Sequence, residues 1–411
     1  METYKYVIVG GGVAGVTAAE TIRQNDKEGT LAIVSDEPYP LYSRVMLSKP
    51  TFFLGKIPFD SIYLKKPEWY TENKIAYITG KKATSLAPLP KTLTLSDGSQ
   101  IGYEKLLLAV GVDARPWGIL GSERRGVHYL RTLDHGRGVI EHIKTAKKAI
   151  VIGGGFIGFE MADMLHMAGL EVTMLLREKY FWEPTLDENS GRMIEDALKK
   201  GGVTIRYETE VAEVLGGENV EGVKLKDSST LACDLIMCGI GVTYPIEWLR
   251  PSLKLSRGIM ADEYLMTNAP DVWTAGDVAE YHDVLLGETV LMGNWVNARE
   301  QGRVAALNML GQKTIFKFIS FYTTQGMGIS IAFVGDTRVT PDRTIITRGS
   351  PEANSYGRLI LMGGKVLGAT LINRTKEMNA ISRLIDHNVD VSAHHAELAD
   401  ANFELMKLMP K

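Results

Sequence analysis

Two stretches of this chain share one pattern of apolar and polar positions. Residues 6–15 read YVIVGGGVAG and residues 149–160 read AIVIGGGFIGFE: an apolar run, three glycines, and a fourth glycine three residues on. A short apolar run that meets glycine is a buried strand entering a tight turn, and the 3.6-residue period that resumes behind it is a helix. The first copy predicts strands over 6–10 and 31–34 with a helix between them over roughly 15–24, a βαβ unit. The second predicts a helix over 156–168, a strand over 172–176 and a helix around 187–200 stopped by Gly201-Gly202.

The repetition continues further along. Residues 92–111 (TLTLSDGSQIGYEKLLLAVG) and 222–241 (GVKLKDSSTLACDLIMCGIG) each read as a strand, an Asp-Gly or Asp-Ser turn, a short strand, and an apolar run ending in glycine. Residues 272–277 (VWTAGD) form one more apolar strand, followed by a helix over 297–310 that Gly311 stops. From about 313 to 411 the pattern changes to strands over 329–334, 358–362 and 366–372 and a helix around 376–386, a separate α+β unit. The chain is therefore of the α/β class, with a doubled parallel-sheet domain.

The glycine spacing carries chemistry. Gly10 and Gly153 make the turn, Gly12 and Gly155 let a pyrophosphate approach the backbone, and Gly15 and Gly158 let the helix lie close to the strand. Unpaired N–H groups and the positive dipole end of each helix then face the phosphates. One such motif can be a plain turn. Two in the same context indicate two dinucleotide sites, one for a cofactor that stays and one for a nucleotide that visits. The first βαβ unit ends in Ser35-Asp36-Glu37, where Asp36 can accept hydrogen bonds from a ribose. Its distance from the glycines is longer than usual because of the extra loop 25–29. Residues 39–50 (YPLYSRVMLSKP) fit no regular period and hold two cations, Arg44 and Lys49, which are either functional or simply solvated.

Composition narrows the rest. At 411 residues the chain is long enough for two or three cored domains, and 45% hydrophobic with 23% charged is ordinary for a globular protein. A net charge of −3 leaves no electrostatic footprint for nucleic acid or an anionic membrane. No apolar run reaches membrane-spanning length, and a first strand starting at Tyr6 leaves no secretory signal, so a cytoplasmic protein is expected. Of the two cysteines, Cys233 and Cys238 are five apart, which in one strand puts them on opposite faces and makes a local disulfide sterically poor. His394-His395 has no further ligand spaced to help it, so no metal site is expected and an exposed tail is.

The ordered set GGGVAG, LAVG, GGGFIGFE, GIG and TAGD resembles that of the pyridine nucleotide-disulfide oxidoreductase superfamily over about the first 310 residues. Within it the chain is most similar to the rubredoxin/ferredoxin reductase-like group and to the flavin module of assimilatory nitrite reductase. The resemblance implies two Rossmann-like domains in a glutathione-reductase-like arrangement plus a C-terminal α+β domain. It places FAD on residues 1–115 and 245–312, NAD(P)H on 116–244, and the C-terminal domain at 313–411. The implied FAD set is Gly10, Gly12, Ala14, Gly15, Asp36, Ala83, Ala109, Gly111, Arg131 and Asp277, with Trp295 facing the flavin edge. The implied nicotinamide nucleotide set is Gly153, Gly155, Phe156, Ile157, Gly158, Arg177 and Gly241. The segment YSRVMLSK resembles the one in which Arg44 and Lys49 flank the isoalloxazine, with Lys49 near N5 and paired to Glu160 as the catalytic residues. An ammonium there stabilises the negative charge that arrives with the hydride.

Two departures matter. Thiol-using relatives carry a CxxxxC after the first helix or a cysteine near position 43, and here position 43 is Ser43 with no cysteine before Cys233, which excludes a thiol relay. At the end of the nucleotide strand, NADH-specific relatives place Glu where this chain has Leu176, followed by Arg177-Glu178-Lys179. Arg177 and Lys179 suit a 2′-phosphate and Glu178 opposes it, which leaves NADH and NADPH both open. The implied function is an FAD-dependent NAD(P)H oxidoreductase passing electrons to a small rubredoxin- or ferredoxin-type protein. A quinone or dye reductase is the alternative enzyme. A flavin-dependent sensor or scaffold, as in the similar apoptosis-inducing factor, is the alternative of another class. A homodimer is left open.

Overall fold

The computed structural model describes residues 1–410 and divides into two compact units, Met1–Ser43 with Asp60–Asp113 and Val242–Phe318, and Arg44–Phe59 with Ala114–Gly241 and Ile319–Lys411. In the first unit the strand Glu2–Val9 lies between Leu31–Val34 and Gln100–Leu108, parallel to both; Ile75–Ile78 extends one edge and Val272–Thr274 also pairs with Gln100–Leu108. Both faces of the central strands are covered, so Val7, Ile8, Leu106 and Leu107 are fully buried, as a continuous apolar run in a parallel sheet requires. The helix Val13–Asn25 buries Ala14, Val16, Ala18, Ala19 and Ile22 in one cluster with Ala298, Val304 and Ala305 of the helix Trp295–Met309. A Cβ on Gly302 would lie 2.1 Å from the Ala14 carbonyl oxygen, so the two helices cross in near backbone contact.

In the second unit the parallel sheet runs Thr204–Arg206, Glu171–Leu175, Lys148–Ile152, Leu235–Cys238, Val127–His128. The helix Phe156–Met167 follows its central strand, and the helix Glu188–Lys200 starts at Asp187, whose carboxylate caps Ser190 N–H. Residues 319–410 contribute an antiparallel sheet ordered Phe321–Gly326, Ile329–Gly335, Lys365–Ile372, Ser355–Met362, Thr344–Ser350. The helix Met378–Asp386 closes its core with Ala380, Ile381 and Leu384.

Most expected elements are present within a residue or two. The strands Phe321–Gly326 and Thr344–Ser350 were not expected, because FYTTQG and TIITRGS carry no clean alternation. The irregular segment holds a 3₁₀ turn, Arg44–Ser48, then a short helix Pro50–Phe53, where proline at the first helical position has no N–H to lose. The helix expected over 297–310 starts two residues earlier, at Trp295.

The two hairpins share a detail: Asp97 accepts from the N–H and hydroxyl of Ser99, and Asp227 does the same for Ser229. They differ downstream. Gln100–Leu108 is continuous, whereas Thr230–Ala232 and Leu235–Cys238 are separate strands. Asp234 turns its carboxylate back to accept the N–H groups of Lys147 and Lys148, and the strand breaks there. The break overturns the two-face expectation for the cysteines: Cys233 and Cys238 join one apolar cluster with Ile150, Val223 and Ile236, both unbridged. Burial pushes each thiol up to about 12, so neither forms a thiolate near neutral pH. Native protein is expected to resist a thiol reagent at pH 7 and to react at both positions after unfolding; rapid native labelling would contradict this environment. Residues His395–Ala399 form a short helix at which His394 pairs with Glu397 at 3.4 Å rather than a free tail. Among the described residues no helix is long and apolar enough to cross a membrane, and no three His, Cys, Asp or Glu side chains gather as a metal would need.

Candidate functional site

Both fingerprints fold into the same local shape. Gly10 has φ +119° and a Cβ there would lie 2.1 Å from the Ala109 carbonyl oxygen; Gly153 has φ +94° and a Cβ would lie 2.5 Å from that of Gly239. Only glycine satisfies either position. At Gly15 and Gly158 a Cβ would lie 2.0 Å from the carbonyl oxygens of Gly10 and Gly153, so helix and turn meet backbone to backbone. Gly12 and Gly155 are the opposite case. Each is the N-cap of its helix, with φ −79° and −74°, has no side-chain cap, and a Cβ on either meets nothing within 4 Å. The helix starts therefore present bare N–H groups to open space, the cradle a pyrophosphate needs.

Around the first cradle, Gly10, Asp36, Lys81, Lys82, Ala83 and Val110 line a cavity of about 80 Å³. Asp36 is exposed, 3.9 Å from Lys82 Nζ. Ala109 donates its N–H to Val9 at 2.7 Å, and Gly111 follows with φ +68°. Ala14 is buried, against Gly276 of the TAGD turn. The Gly276 N–H is held at 2.6 Å by Gln301 Oε1, which sets the turn that carries Asp277. Gln301 is fully buried, yet its Nε2 and the Trp295 Nε1 have no hydrogen-bond partner. Orphaned donors of this kind fit a site that a polar cofactor completes.

Around the second cradle, Gly153, Gly154, Gly155, Arg115, Arg177 and Glu178 are among the residues lining a cavity of about 480 Å³. Arg177 is 80% exposed and pairs through Nε with Glu178 at 3.0 Å. Gly241 has φ +102° and its carbonyl accepts the Arg115 N–H. Phe156, the first helical residue, sits with its ring centroid 3.6 Å from that of Tyr322 and 4.4 Å from that of Trp182. Ile157 is half-buried beside it.

The segment 44–59 folds against the same helix. Lys49 Nζ lies 2.5 Å from Glu160 Oε1, although 111 residues separate them. The Glu160 side chain is 4% exposed and also accepts hydrogen bonds from Ser48 Oγ and, at 2.8 Å, from Thr324 Oγ1. Three donors from two distant segments thus compensate one buried carboxylate, the condition under which burial is tolerated. One turn on, burial pushes the Asp163 carboxyl above its ordinary range. Arg44 donates to the Arg131 carbonyl at 2.9 Å. Sequence reasoning found Lys49 and Glu160 but missed Ser48, Thr324 and Gln301. Ser48 adjoins Lys49, whereas nothing near Thr324 or Gln301 in the chain signals a role.

The profile of the pyridine nucleotide-disulphide oxidoreductase family matches residues 4–302, and that of the reductase C-terminal domain matches 321–409. The chain belongs to the pyridine nucleotide-disulphide oxidoreductase family. This oxidoreductase, whose cofactors are FAD and NAD(P)H, is 30% identical over 392 residues to nitrite reductase [NAD(P)H] of Bacillus subtilis, covering 94% of the chain but 48% of that protein. The chain thus spans about half the length of that relative. It is 28% identical over 406 residues to the ferredoxin–NAD(+) reductase component of the biphenyl dioxygenase system of Paraburkholderia xenovorans, covering 98% of each. Among solved structures it is similar to putidaredoxin reductase in covalent complex with putidaredoxin, with TM-score 0.92 and 27% identity over 99% of this chain and 98% of that one.

Proposed function

We propose that this oxidoreductase takes hydride from NAD(P)H through FAD and delivers electrons to a small iron–sulfur or rubredoxin-type protein. The observation that carries the reading is the doubled open cradle, supported by the two buried, high-pKa thiols that leave no cysteine for a relay. Full-length likeness to ferredoxin and putidaredoxin reductases supports the protein acceptor. FAD supplies the step from a two-electron donor to one-electron acceptors.

In this reading residues 1–115 and 245–312 bind FAD, 116–244 bind NAD(P)H, and 313–411 form the C-terminal domain. Gly12 with Ala14 and Gly15 admits the FAD pyrophosphate, and Asp36 takes the adenosine ribose. Asp277 takes the ribityl chain or pyrophosphate, with Ala83, Ala109, Gly111, Arg131 and Trp295 completing the site. The Gly155 cradle, with Phe156, Ile157 and Gly241, admits NAD(P)H. Lys49 holds positive charge at flavin N5, and Glu160 fixes its ammonium. A nicotinamide-dependent donor of this kind belongs in the cytoplasm, where reduced nicotinamide nucleotide is made.

The test is purification followed by acid release of the flavin and turnover with a ferredoxin, a rubredoxin and a quinone. One FAD per chain and faster turnover with one of the proteins are expected. FMN, or turnover with the quinone alone, would sink the proposal. Asp277→Ala and Gln301→Ala should both lose flavin on gel filtration far more than Glu123→Ala, an exposed control. Equal retention in all three would remove the TAGD turn from the site.

A further inference from the structure

The strand Phe321–Gly326 and the helix Phe156–Met167 meet in a matched register. A strand sends alternate residues to one face, and a helix brings residues three and four apart onto one face. Thr324 is buried, with Tyr322 and Gly326 on the same face partly covered, whereas Thr323 and Gln325 are exposed. The helix residues that meet this face are Phe156, Glu160 and Asp163. The Tyr322 ring contacts the Phe156 ring, the Thr324 hydroxyl donates to Glu160 Oε1 at 2.8 Å, and a Cβ on Gly326 would lie 2.8 Å from Asp163 Oδ2. The Met327 N–H then donates to the Asp163 carboxylate at 3.3 Å.

Thr324 is 2% exposed. Valine has the same branched shape without the hydroxyl and suits a strand equally well. A buried hydroxyl costs free energy unless it is hydrogen-bonded, so this one is explained by its acceptor, Glu160. Its place among the donors to that carboxylate is distinct. Ser48 bonds Oε2 and Lys49 bonds Oε1, but the two are neighbours in one segment and can shift together with the carboxylate. Thr324 belongs to a strand paired residue for residue with Ile329–Gly335, an anchor independent of that segment. It also shares with Lys49 the oxygen that orients the ammonium.

We infer that Thr324 is a positioning residue for flavin reduction: it holds Glu160 Oε1 in place, and Glu160 in turn holds the Lys49 ammonium. The C-terminal domain thereby takes part in the reductive half-reaction. This inference rests on the reading that places Lys49 at the flavin. Such positioning matters because a lysine side chain has many rotamers, and a displacement of about 1 Å can cost roughly a hundredfold in rate.

Stopped-flow reduction and dye-coupled potentiometry of the holoenzyme test the inference. Thr324→Val should slow flavin reduction at saturating NAD(P)H by roughly tenfold, the scale of one hydrogen bond to a charged group. It should also lower the flavin potential and leave the nucleotide dissociation constant unchanged. Thr324→Ala, which removes packing as well as the donor, should slow reduction by the same factor. Thr324→Ser returns the hydroxyl and should recover most of the rate and the potential. In a Lys49→Met background Thr324→Val should change neither. Wild-type rate and potential in Thr324→Val would overturn the inference, as would unequal slowing in the valine and alanine variants. Failure of serine to rescue, or full slowing by Thr324→Val on top of Lys49→Met, would overturn it too. Wild-type reduction in Lys49→Met alone would instead overturn the reading of Lys49.

Discussion

Lys49→Met should slow reduction of the protein-bound flavin by NAD(P)H by roughly a hundredfold or more, as seen by stopped flow. The figure follows from the loss of one preorganised electrostatic partner in a transition state, about 2.7–4 kcal/mol. The reduction potential should fall in the same variant, because the cation favours the anionic reduced form. Methionine keeps the length and the apolar stem and removes only the ammonium. Glu160→Gln should act through Lys49. It replaces one of two acceptor oxygens with a donor in a site where Lys49, Ser48 and Thr324 all donate, so the ammonium is released from its place. The double-mutant cycle should then show coupling on the order of 0.5–3 kcal/mol, as for groups in contact. A normal reductive half-reaction in Lys49→Met, or strictly additive effects, would show that the pair does not act at the flavin.

Gly155→Val should abolish flavin reduction by NAD(P)H while leaving FAD bound and the fold intact. At φ −74° valine fits the backbone without strain, and its Cβ meets no atom within 4 Å. The side chain therefore fills only the space reserved for the pyrophosphate. A displacement of about 1 Å of a reacting group is enough for roughly a hundredfold in rate, and a blocked pyrophosphate moves the nicotinamide further. Gly158→Val is the contrasting control. Its Cβ would lie 2.0 Å from the Gly153 carbonyl oxygen, so it should unfold the unit rather than silence it. Unchanged reduction in Gly155→Val with normal thermal stability would remove the second cradle from hydride delivery.

The two cradles were legible from the chain alone because everything that shapes them is local. Strand, turn and helix are consecutive, and Gly10, Gly15, Gly153 and Gly158 are required by backbone atoms of the same turn or of the loop after the paired strand. The hairpin repeats were legible for the same reason, since Asp97 and Asp227 close their turns on residues two positions away. What spacing could not supply was the compensation of Glu160. Its donors come from Ser48, Lys49 and Thr324, more than a hundred residues away on either side, and no period along the chain encodes their meeting. Resemblance brought in Lys49, but Thr324 sits in a strand whose pattern was not recognisable as one. Gln301 was hidden likewise: in sequence it is one polar residue of a helix, and only packing shows it fully buried and holding the turn that presents Asp277. Sequence thus determined where phosphates can approach the backbone, a property of consecutive residues. Tertiary structure alone decided which side chains converge on the Glu160 carboxylate, because convergence depends on contacts between segments far apart in the chain.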